Sequence, residues 1–161
     1  MLSGIKVLDL TNVLAGPFCC HQLAHMGAEV IKIETVGRGD LARHLGASKN
    51  LSSQLMGISF LAQNAGKKSL TINLKSQKGK EIFLKLVKVS DVVVENFRPG
   101  VMKRLGLEYD CLKKVNSKLI YCSISGFGQT GPMSKRPAYD QIIQGLSGLM
   151  SITGRDGDGP L

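Results

Sequence analysis

The most regular chemical spacing in the sequence is a run of glycines, Gly126, Gly128 and Gly131, which forms a G-x-G-x-x-G pattern. In dinucleotide-binding proteins these glycines follow a strand and open a helix, so that a pyrophosphate reaches the backbone at the helix amino terminus. Here Pro132 and a polar loop follow the glycines, and no second strand ending in an acid comes after them. We therefore expect a flexible loop beside a ligand site and no nicotinamide cofactor.

The other residues that could do chemistry form no complete catalytic or metal-binding set. His21 and His25 stand four residues apart and could share a helix face, but no H-E-x-x-H pattern surrounds them. The four cysteines include no C-x-x-C pair, and no nucleophile elbow or Ser-His-Asp order is visible. Carboxylates that could act as acids or bases are scattered, at Asp9, Glu34, Asp40, Glu95, Asp140, Asp156 and Asp158. We expect no metal site, and these residues alone name no reaction.

Composition limits the class of protein. The chain has 161 residues, of which 43% are apolar and 20% charged, and this balance indicates one folded domain and excludes a disordered protein. No apolar run reaches the roughly 18 residues that a membrane span needs, so we expect no membrane span. Four thiols without a secretion signal predict a reducing, cytoplasmic setting.

The net charge of +9 is concentrated in the middle of the chain. Residues 67–118 carry thirteen basic and five acidic residues, whereas the segments on either side are close to neutral. Such a block favours a polyanionic partner, either nucleic acid or a phosphorylated small molecule. Any single lysine within it is more often a solvated surface charge than a ligand contact.

Apolar strand patterns alternate with helix patterns along the chain. Strands are predicted at Ile5–Leu10, Glu29–Ile33, Ser69–Leu74, Asp91–Glu95 and Ile120–Ser125. Helices are predicted from Pro17 to His25, at Leu55–Gln63, after Ser76, at Val101–Leu105, at Tyr109–Val115 and at Tyr139–Ser151, with loops at Gly37–Leu51 and Gly126–Pro137. Arg38-Gly39-Asp40 is interpreted as a turn. This order predicts an α/β fold with an open, mostly parallel sheet, helices on both faces and a ligand beyond the carboxyl ends of the strands.

Several blocks of the sequence together resemble the family III CoA-transferases, also called the CaiB/BaiF family. In chain order they are VLDLTNVLAGPFC, GAEVIKIE, GRGD, KKSLTINLKSQKGK, VVVENFRPGVMKRLGL, IYCSISGFGQTGP and RPAYDQIIQGLSGLMSITG, and they reach from Gly4 to Pro160. The resemblance implies a Rossmann-like large domain, of which residues 1–161 would be the amino-terminal part. It also implies a second, smaller domain and a homodimer whose two chains are threaded like linked rings.

The resemblance further implies coenzyme A (CoA) or an acyl-CoA as substrate, with a small carboxylic acid as the other partner. The positions that match family residues touching CoA are Val13, Leu14, Ile72, Lys75, Asn96, Phe97, Arg104, Leu105 and Tyr139. Lys75 and Arg104 lie inside the basic block and would supply charge-assisted donors to the CoA phosphates. Backbone N–H groups near Gly100 would receive phosphate oxygens as well.

The implied mechanism uses an Asp carboxylate as a covalent nucleophile, which forms a mixed anhydride with the acyl group. That Asp follows a D-G-P-P segment in the family, so it is expected beyond Leu161, and residues 1–161 alone are predicted to be an inactive fragment. Two positions depart from family patterns: Thr35 stands where some transferases have Arg, and Leu14 stands where the formyl-CoA transferase branch has Gln. The latter argues against oxalate as substrate.

Three alternatives stay open from the sequence. The α-methylacyl-CoA racemase branch has a His before the Asp that matches Asp140, but this chain has Tyr139, whose ordinary pKa near 10 suits a base poorly. A nucleic-acid-binding module would use the basic block, but the chain lacks a nucleic-acid motif and aromatic interleaving, so we expect no nucleic-acid partner. A non-catalytic remnant that folds poorly would expose apolar surface.

Overall fold

The protein was analysed as a computed structural model, which describes residues 1–155, 157 and 159. The strands are β1 (Lys6–Asp9), β2 (Glu29–Glu34), β3 (Lys68–Thr71), β4 (Val92–Glu95) and β5 (Ile120–Ser123). The helices are α1 (Ala15–His25), α2 (Lys49–Ser53), α3 (Ile58–Asn64), α4 (Gln77–Val87), α5 (Val101–Leu105), α6 (Tyr109–Val115) and α7 (Asp140–Ser147). Short 3-10 helices occupy Leu41–His44 and Leu149–Ile152. The chain divides into two units, Met1–Ile124 and Ser125–Leu161.

The strands of the first unit form one parallel sheet in the order β3-β2-β1-β4-β5. Leu8 in β1 lies opposite Ile31 in β2 and Val93 in β4. The chain first winds outward from β1 to β3 and then returns to the other side of β1, so the strand order reverses between β1 and β4. Ligands bind outside the carboxyl ends of strands at such a reversal.

Helices cover both faces of the sheet. On one face, Cys20 of α1 packs with Val7, Val30 and Val94. On the other face, helices α4, α5 and α6 pack on the strands through a cluster that contains Leu8, Val93, Phe83, Met102 and Leu112. Neighbouring residues of one strand point to opposite faces of the sheet, so Val7 and Leu8 pack in the two separate core clusters. The predicted fold class, an open parallel α/β sheet with helices on both faces, is confirmed.

Capping residues in the sequence correctly predicted where several helices begin or end. The Ser76 side chain accepts a hydrogen bond of 3.1 Å from the Gly79 N–H and starts α4, as an N-cap serine does. Gly27 takes a φ of 98° directly after α1, a conformation that a glycine adopts without strain. Helices α5 and α6 have the predicted bounds.

Other predictions were wrong in detail. Gly37–Leu51 is not one loop, because Asp40 caps the 3-10 helix Leu41–His44 and Ser48 caps α2. The predicted last helix is interrupted at Gly148, whose φ of 81° ends α7. No helix among the described residues has the length and apolar character needed to cross a membrane.

Candidate functional site

A cleft of about 400 Å³ opens where the carboxyl ends of β1 to β4 meet. Its lining is mostly apolar, with side chains that include Leu10, Ile33, Val36, Ile72, Leu74, Phe97, Val101 and Leu105. Its polar lining consists of Asn12, Glu34, Thr35, Asn73 and Lys75. An apolar cleft with a few polar groups is the usual form of a small-molecule site.

The structure brings most of the sequence-predicted site residues to this edge of the sheet. Ile72, Lys75, Phe97 and Leu105 line the cleft itself. Ile72 is buried and Lys75 is exposed, so the first shapes the cleft and the second offers its ammonium group to solvent or to a ligand. Arg104 lies on α5 and is also exposed, with its Nη1 3.3 Å from the place a Cβ would take at Gly100.

The remaining predicted residues of the first unit lie in the turns after β1 and β4. Val13 and Leu14 are 42% and 52% exposed in the loop between β1 and α1. Asn96 follows β4 and binds the backbone of Asn12 twice: its Oδ1 accepts from the Asn12 N–H, and its Nδ2 donates to the Asn12 carbonyl, both at 2.8 Å. This pair of bonds ties the ends of β1 and β4 together at the strand reversal.

Tyr139 belongs to the second unit, where it precedes α7 and is 72% exposed. The glycine-rich segment lies in the same unit, and Gly128 and Gly131 take φ values of 76° and 88°. No helix follows the glycines before Asp140, so the predicted loop at the G-x-G-x-x-G pattern is confirmed. Asp156, Asp158 and Pro160 lie outside the described residues.

Sequence reasoning missed a group of buried charges near the carboxyl ends of β1 and β2. Lys32, in the middle of β2, is 1% exposed, and its Nζ lies 2.9 Å from Asp40 Oδ2 and donates to the Thr11 carbonyl at 2.8 Å. Lys67 Nζ donates to Asp9 Oδ2 at 2.8 Å and to the Pro17 carbonyl at 2.9 Å. Burial lowers the pKa of Lys67, against the opposite influence of Asp9. Lys32 lies within the apolar run EVIKI, and a charge at such a position is the signal that a buried partner exists.

The carboxylate of Glu34 at the end of β2 is held from three sides. Arg43 binds both its oxygens, Ser69 donates to Oε1 at 2.7 Å and the Asp40 N–H donates to Oε2 at 2.9 Å. Burial by itself would raise the pKa of Glu34, but these hydrogen bonds outweigh it and lower the pKa to about 2. Glu34 is therefore ionised at neutral pH and is already fully engaged, which suits a structural role at the cleft.

Glu95 plays a similar part at the end of β4. It is 4% exposed, accepts a hydrogen bond of 2.8 Å from the Phe97 N–H and receives the hydroxyl of Ser123. Burial, followed by the nearby Glu95 carboxylate, raises the pKa of Tyr121 above its usual range. Among residues 1–155, 157 and 159, no group of three or more His, Cys, Asp or Glu side chains is arranged to hold a metal ion.

The fold is a doubly wound α/β sheet with an apolar cleft at its strand reversal, the place where proteins of this class hold small ligands. Residues 2–161 match CoA-transferase family III, and the chain belongs to that family. It is similar to an acetyl-CoA:oxalate CoA-transferase of Acetobacter aceti, with 50% identity over 157 residues that cover 98% of this chain and 39% of the relative. It is also 48% identical to a succinyl-CoA:glutarate CoA-transferase of Mus musculus, over 98% of this chain and 36% of the relative.

Solved structures agree with the sequence comparison. A CaiB/BaiF family protein from Brucella suis superposes with a TM-score of 0.89 at 40% identity, over 99% of this chain and 42% of that one. The chain thus spans about two fifths of the length of the relatives it matches. That share agrees with the assignment from the sequence to one portion of a longer family protein.

Proposed function

We propose that this chain binds CoA in the cleft and forms the CoA-binding part of an enzyme that moves CoA between an acyl-CoA and a carboxylic acid. The observation that carries the proposal is the cleft itself, because Ile72, Lys75, Phe97 and Leu105 line it and all four match family positions that touch CoA. The named activities of the two curated relatives, on oxalate and on glutarate, support small carboxylic acids as acceptors.

The chemistry of the cleft suits the parts of CoA. The adenine ring has two flat faces that pack well against apolar side chains, so it fits walls formed by Ile33, Ile72 and Phe97. The ribose phosphate and the diphosphate carry the negative charge, and Lys75 and Arg104 are exposed cations on two sides of the same edge of the sheet. In the proposed enzyme, these residues bind and orient CoA and take no part in bond making.

The covalent steps fall to an Asp that the resemblance places after Leu161. Its carboxylate attacks the thioester carbonyl, the C–S bond breaks, CoA leaves as a thiolate and a mixed anhydride remains. The thiolate then attacks the aspartyl carbonyl, which releases the donor acid and leaves an enzyme thioester. The acceptor carboxylate reverses the two steps and departs as the new acyl-CoA, so no oxidant or reductant is needed.

The transferase is favoured over the racemase branch because of the residue before Asp140. A racemase that moves an α-proton needs a base on each face of the carbon, and Tyr139 is a poor base at neutral pH. A transferase requires no base at this position. A homodimer of linked chains remains part of the proposal for the whole protein.

Calorimetric titration of the 161-residue chain with CoA tests the proposal. We expect saturable binding, and we expect Arg104→Ala to weaken it about threefold to tenfold, since a charged hydrogen bond at an exposed site contributes modestly. Lys118→Ala is the matched control, because Lys118 is an exposed cation before β5, at the opposite edge of the sheet. The proposal fails if millimolar CoA gives no saturable signal, or if the two variants weaken binding equally.

A coupled transferase assay tests the assignment of the nucleophile. Residues 1–161 alone should give no turnover above a reaction without enzyme. Turnover by this chain would show that the nucleophile lies within it and would contradict the proposed source of the Asp.

A further inference from the structure

The loop between β1 and α1 is held by side chains that come from other parts of the sheet. The Thr11 N–H donates to Asp9 Oδ1 at 2.9 Å, and the Thr11 carbonyl accepts from Lys32. Asn96 binds both backbone groups of Asn12. The Val13 N–H donates to Asp40 Oδ1 at 3.0 Å. Five consecutive backbone polar groups thus have side-chain partners, an unusual density for a loop, whose backbone is more often solvated.

Val13 adopts a conformation that its own side chain disfavours. Its φ is 68°, in the left-handed region, where a β-branched residue is an outlier. Such a conformation persists only where the surroundings impose it. The hydrogen bond from the Val13 N–H to Asp40 is the contact that bears directly on this residue.

Asp40 is well placed to impose that conformation. Its side chain is fully buried, and its Oδ1 accepts from the N–H groups of both Val13 and Ala42 while its Oδ2 pairs with Lys32. The same Lys32 holds the Thr11 carbonyl, so one ion pair controls the backbone at two points of the loop. Asp40 is not among the residues that line the cleft.

We propose that Asp40, together with Lys32, is a positioning residue that fixes the shape of residues 11–14 and so presents Val13 and Leu14 to bound CoA. The inference rests on the proposed function, because it assumes that CoA occupies this edge of the sheet. Asp40 acts through the loop backbone and touches neither CoA nor the reacting atoms. The tripeptide Arg38-Gly39-Asp40 was predicted as a turn, but only Arg38 lies in the turn at residues 36–38, and Asp40 follows in extended conformation as the N-cap of the 3-10 helix Leu41–His44. The proposed role of its carboxylate rests on its contacts with Val13 and Lys32.

A double-mutant cycle on the 161-residue chain separates positioning from simple stabilisation. Asp40→Ala removes the acceptor of the Val13 N–H, which asparagine would keep. It should weaken CoA binding at least tenfold, measured by calorimetry at a temperature where circular dichroism shows a folded protein. In a Val13→Gly background the same change should cost threefold or less, because glycine reaches a positive φ without help from Asp40. A residue that only stabilises the fold would give the same loss in both backgrounds, and that result would overturn the inference.

Asp91→Ala is the matched control. Asp91 is an exposed carboxylate before β4, at the opposite edge of the sheet, and accepts a hydrogen bond of 2.8 Å from the Lys6 N–H. This variant should bind CoA as the unmodified chain does. If it loses as much affinity as Asp40→Ala, the loss comes from removing a negative charge anywhere in the protein and the inference is wrong.

Asp40→Ala removes the nearer carboxylate of the buried Lys32 and leaves it Asp9 Oδ2 at 4.0 Å, and the loss of one member of a buried ion pair can prevent folding. The variant Asp40→Ala/Lys32→Met removes both charges and the acceptor of the Val13 N–H, and it leaves the net charge of the interior unchanged. It should fold and still bind CoA at least tenfold more weakly than the unmodified chain, whereas unchanged affinity would overturn the inference. If the unmodified chain does not bind CoA, the proposed function is wrong and the inference is wrong with it. If the unmodified chain binds CoA and both Asp40 variants bind it equally well, only the inference is wrong.

Discussion

Arg43 binds Glu34 through two parallel hydrogen bonds, Nε to Oε2 and Nη2 to Oε1, each 2.7 Å long. Glu34 is the last residue of β2 and lines the cleft, whereas Arg43 comes from the 3-10 helix Leu41–His44. The pair therefore fastens the segment that contains Asp40 to the strand end beside the cleft. Bidentate geometry of this kind is stronger and more specific than a single ion contact.

The Glu34 carboxylate should make the stability of the protein depend on acid pH. Its pKa is about 2 in the folded protein, against an ordinary value of 4.5, so the folded state favours the ionised form. This contribution is fully present above pH 4.5 and is lost as the pH falls towards 2. Glu34→Gln should lower the free energy of unfolding by about 3 kcal/mol at pH 7, with a smaller difference at pH 3. Urea unfolding at the two pH values measures this, and equal differences would contradict it.

Arg43 should not be replaceable by lysine, although lysine keeps the charge. The Arg43 guanidinium also lies 3.7 Å from the centre of the Phe60 ring, so it combines a bidentate bond with a stacking contact. Lysine offers a point charge and neither planar contact. We expect Arg43→Lys to lower the free energy of unfolding by about 1–2 kcal/mol in urea titrations. Lys68→Arg is the control, since Lys68 pairs with Glu29 on the surface, and a loss of the same size there would argue against the special geometry of Arg43.

The order of the elements and the place of the cleft could be predicted from the sequence. Apolar runs such as VVVE mark buried parallel strands, and the carboxyl ends of parallel strands meet at one edge. Ile72, Lys75 and Phe97 lie in short segments that follow a strand. Leu105 is the last residue of the short helix after β4. The sequence motifs were therefore enough to predict that these residues lie near the strand ends.

The buried charges could not be predicted in the same way. The partner of Lys32 is Asp40, which lies in an irregular turn beyond the end of the strand, and that of Asp9 is Lys67, 58 residues away in the chain. Whether such a lysine faces solvent or a carboxylate depends on how separate strands and loops pack against each other. Local sequence patterns carry no information about that packing. The left-handed Val13 follows from the same packing, because its N–H is held by Asp40.

We expect the loss of the Asn96 side chain to weaken CoA binding by more than its effect on the stability of the fold would explain. Asn96→Ala leaves the N–H and carbonyl of Asn12 without their partners and should cost about 1–2 kcal/mol of unfolding free energy. Asn116 makes a comparable pair of bonds, to the Val87 and Ser90 carbonyls, away from the cleft. Both alanine variants should be destabilised in urea, but only Asn96→Ala should lose affinity for CoA, by fivefold or more in calorimetry. Equal loss in both would show that Asn96 acts through stability alone.

Lys75 should recognise the ribose phosphate of CoA and not its diphosphate. Lys75 follows β3 and lines the same cleft as Ile72, whose apolar wall suits the adenine, and the 3′-phosphate sits on the ribose next to that ring. Lys75→Ala should weaken binding of CoA about fivefold to tenfold in calorimetry and leave the affinity for 3′-dephospho-CoA unchanged within twofold, because the lost charge–phosphate contact is absent there already. Arg104→Ala should weaken both ligands alike, since the diphosphate is common to them. If Lys75→Ala loses equal affinity for CoA and for 3′-dephospho-CoA, Lys75 contacts the diphosphate and the assignment to the ribose phosphate is wrong.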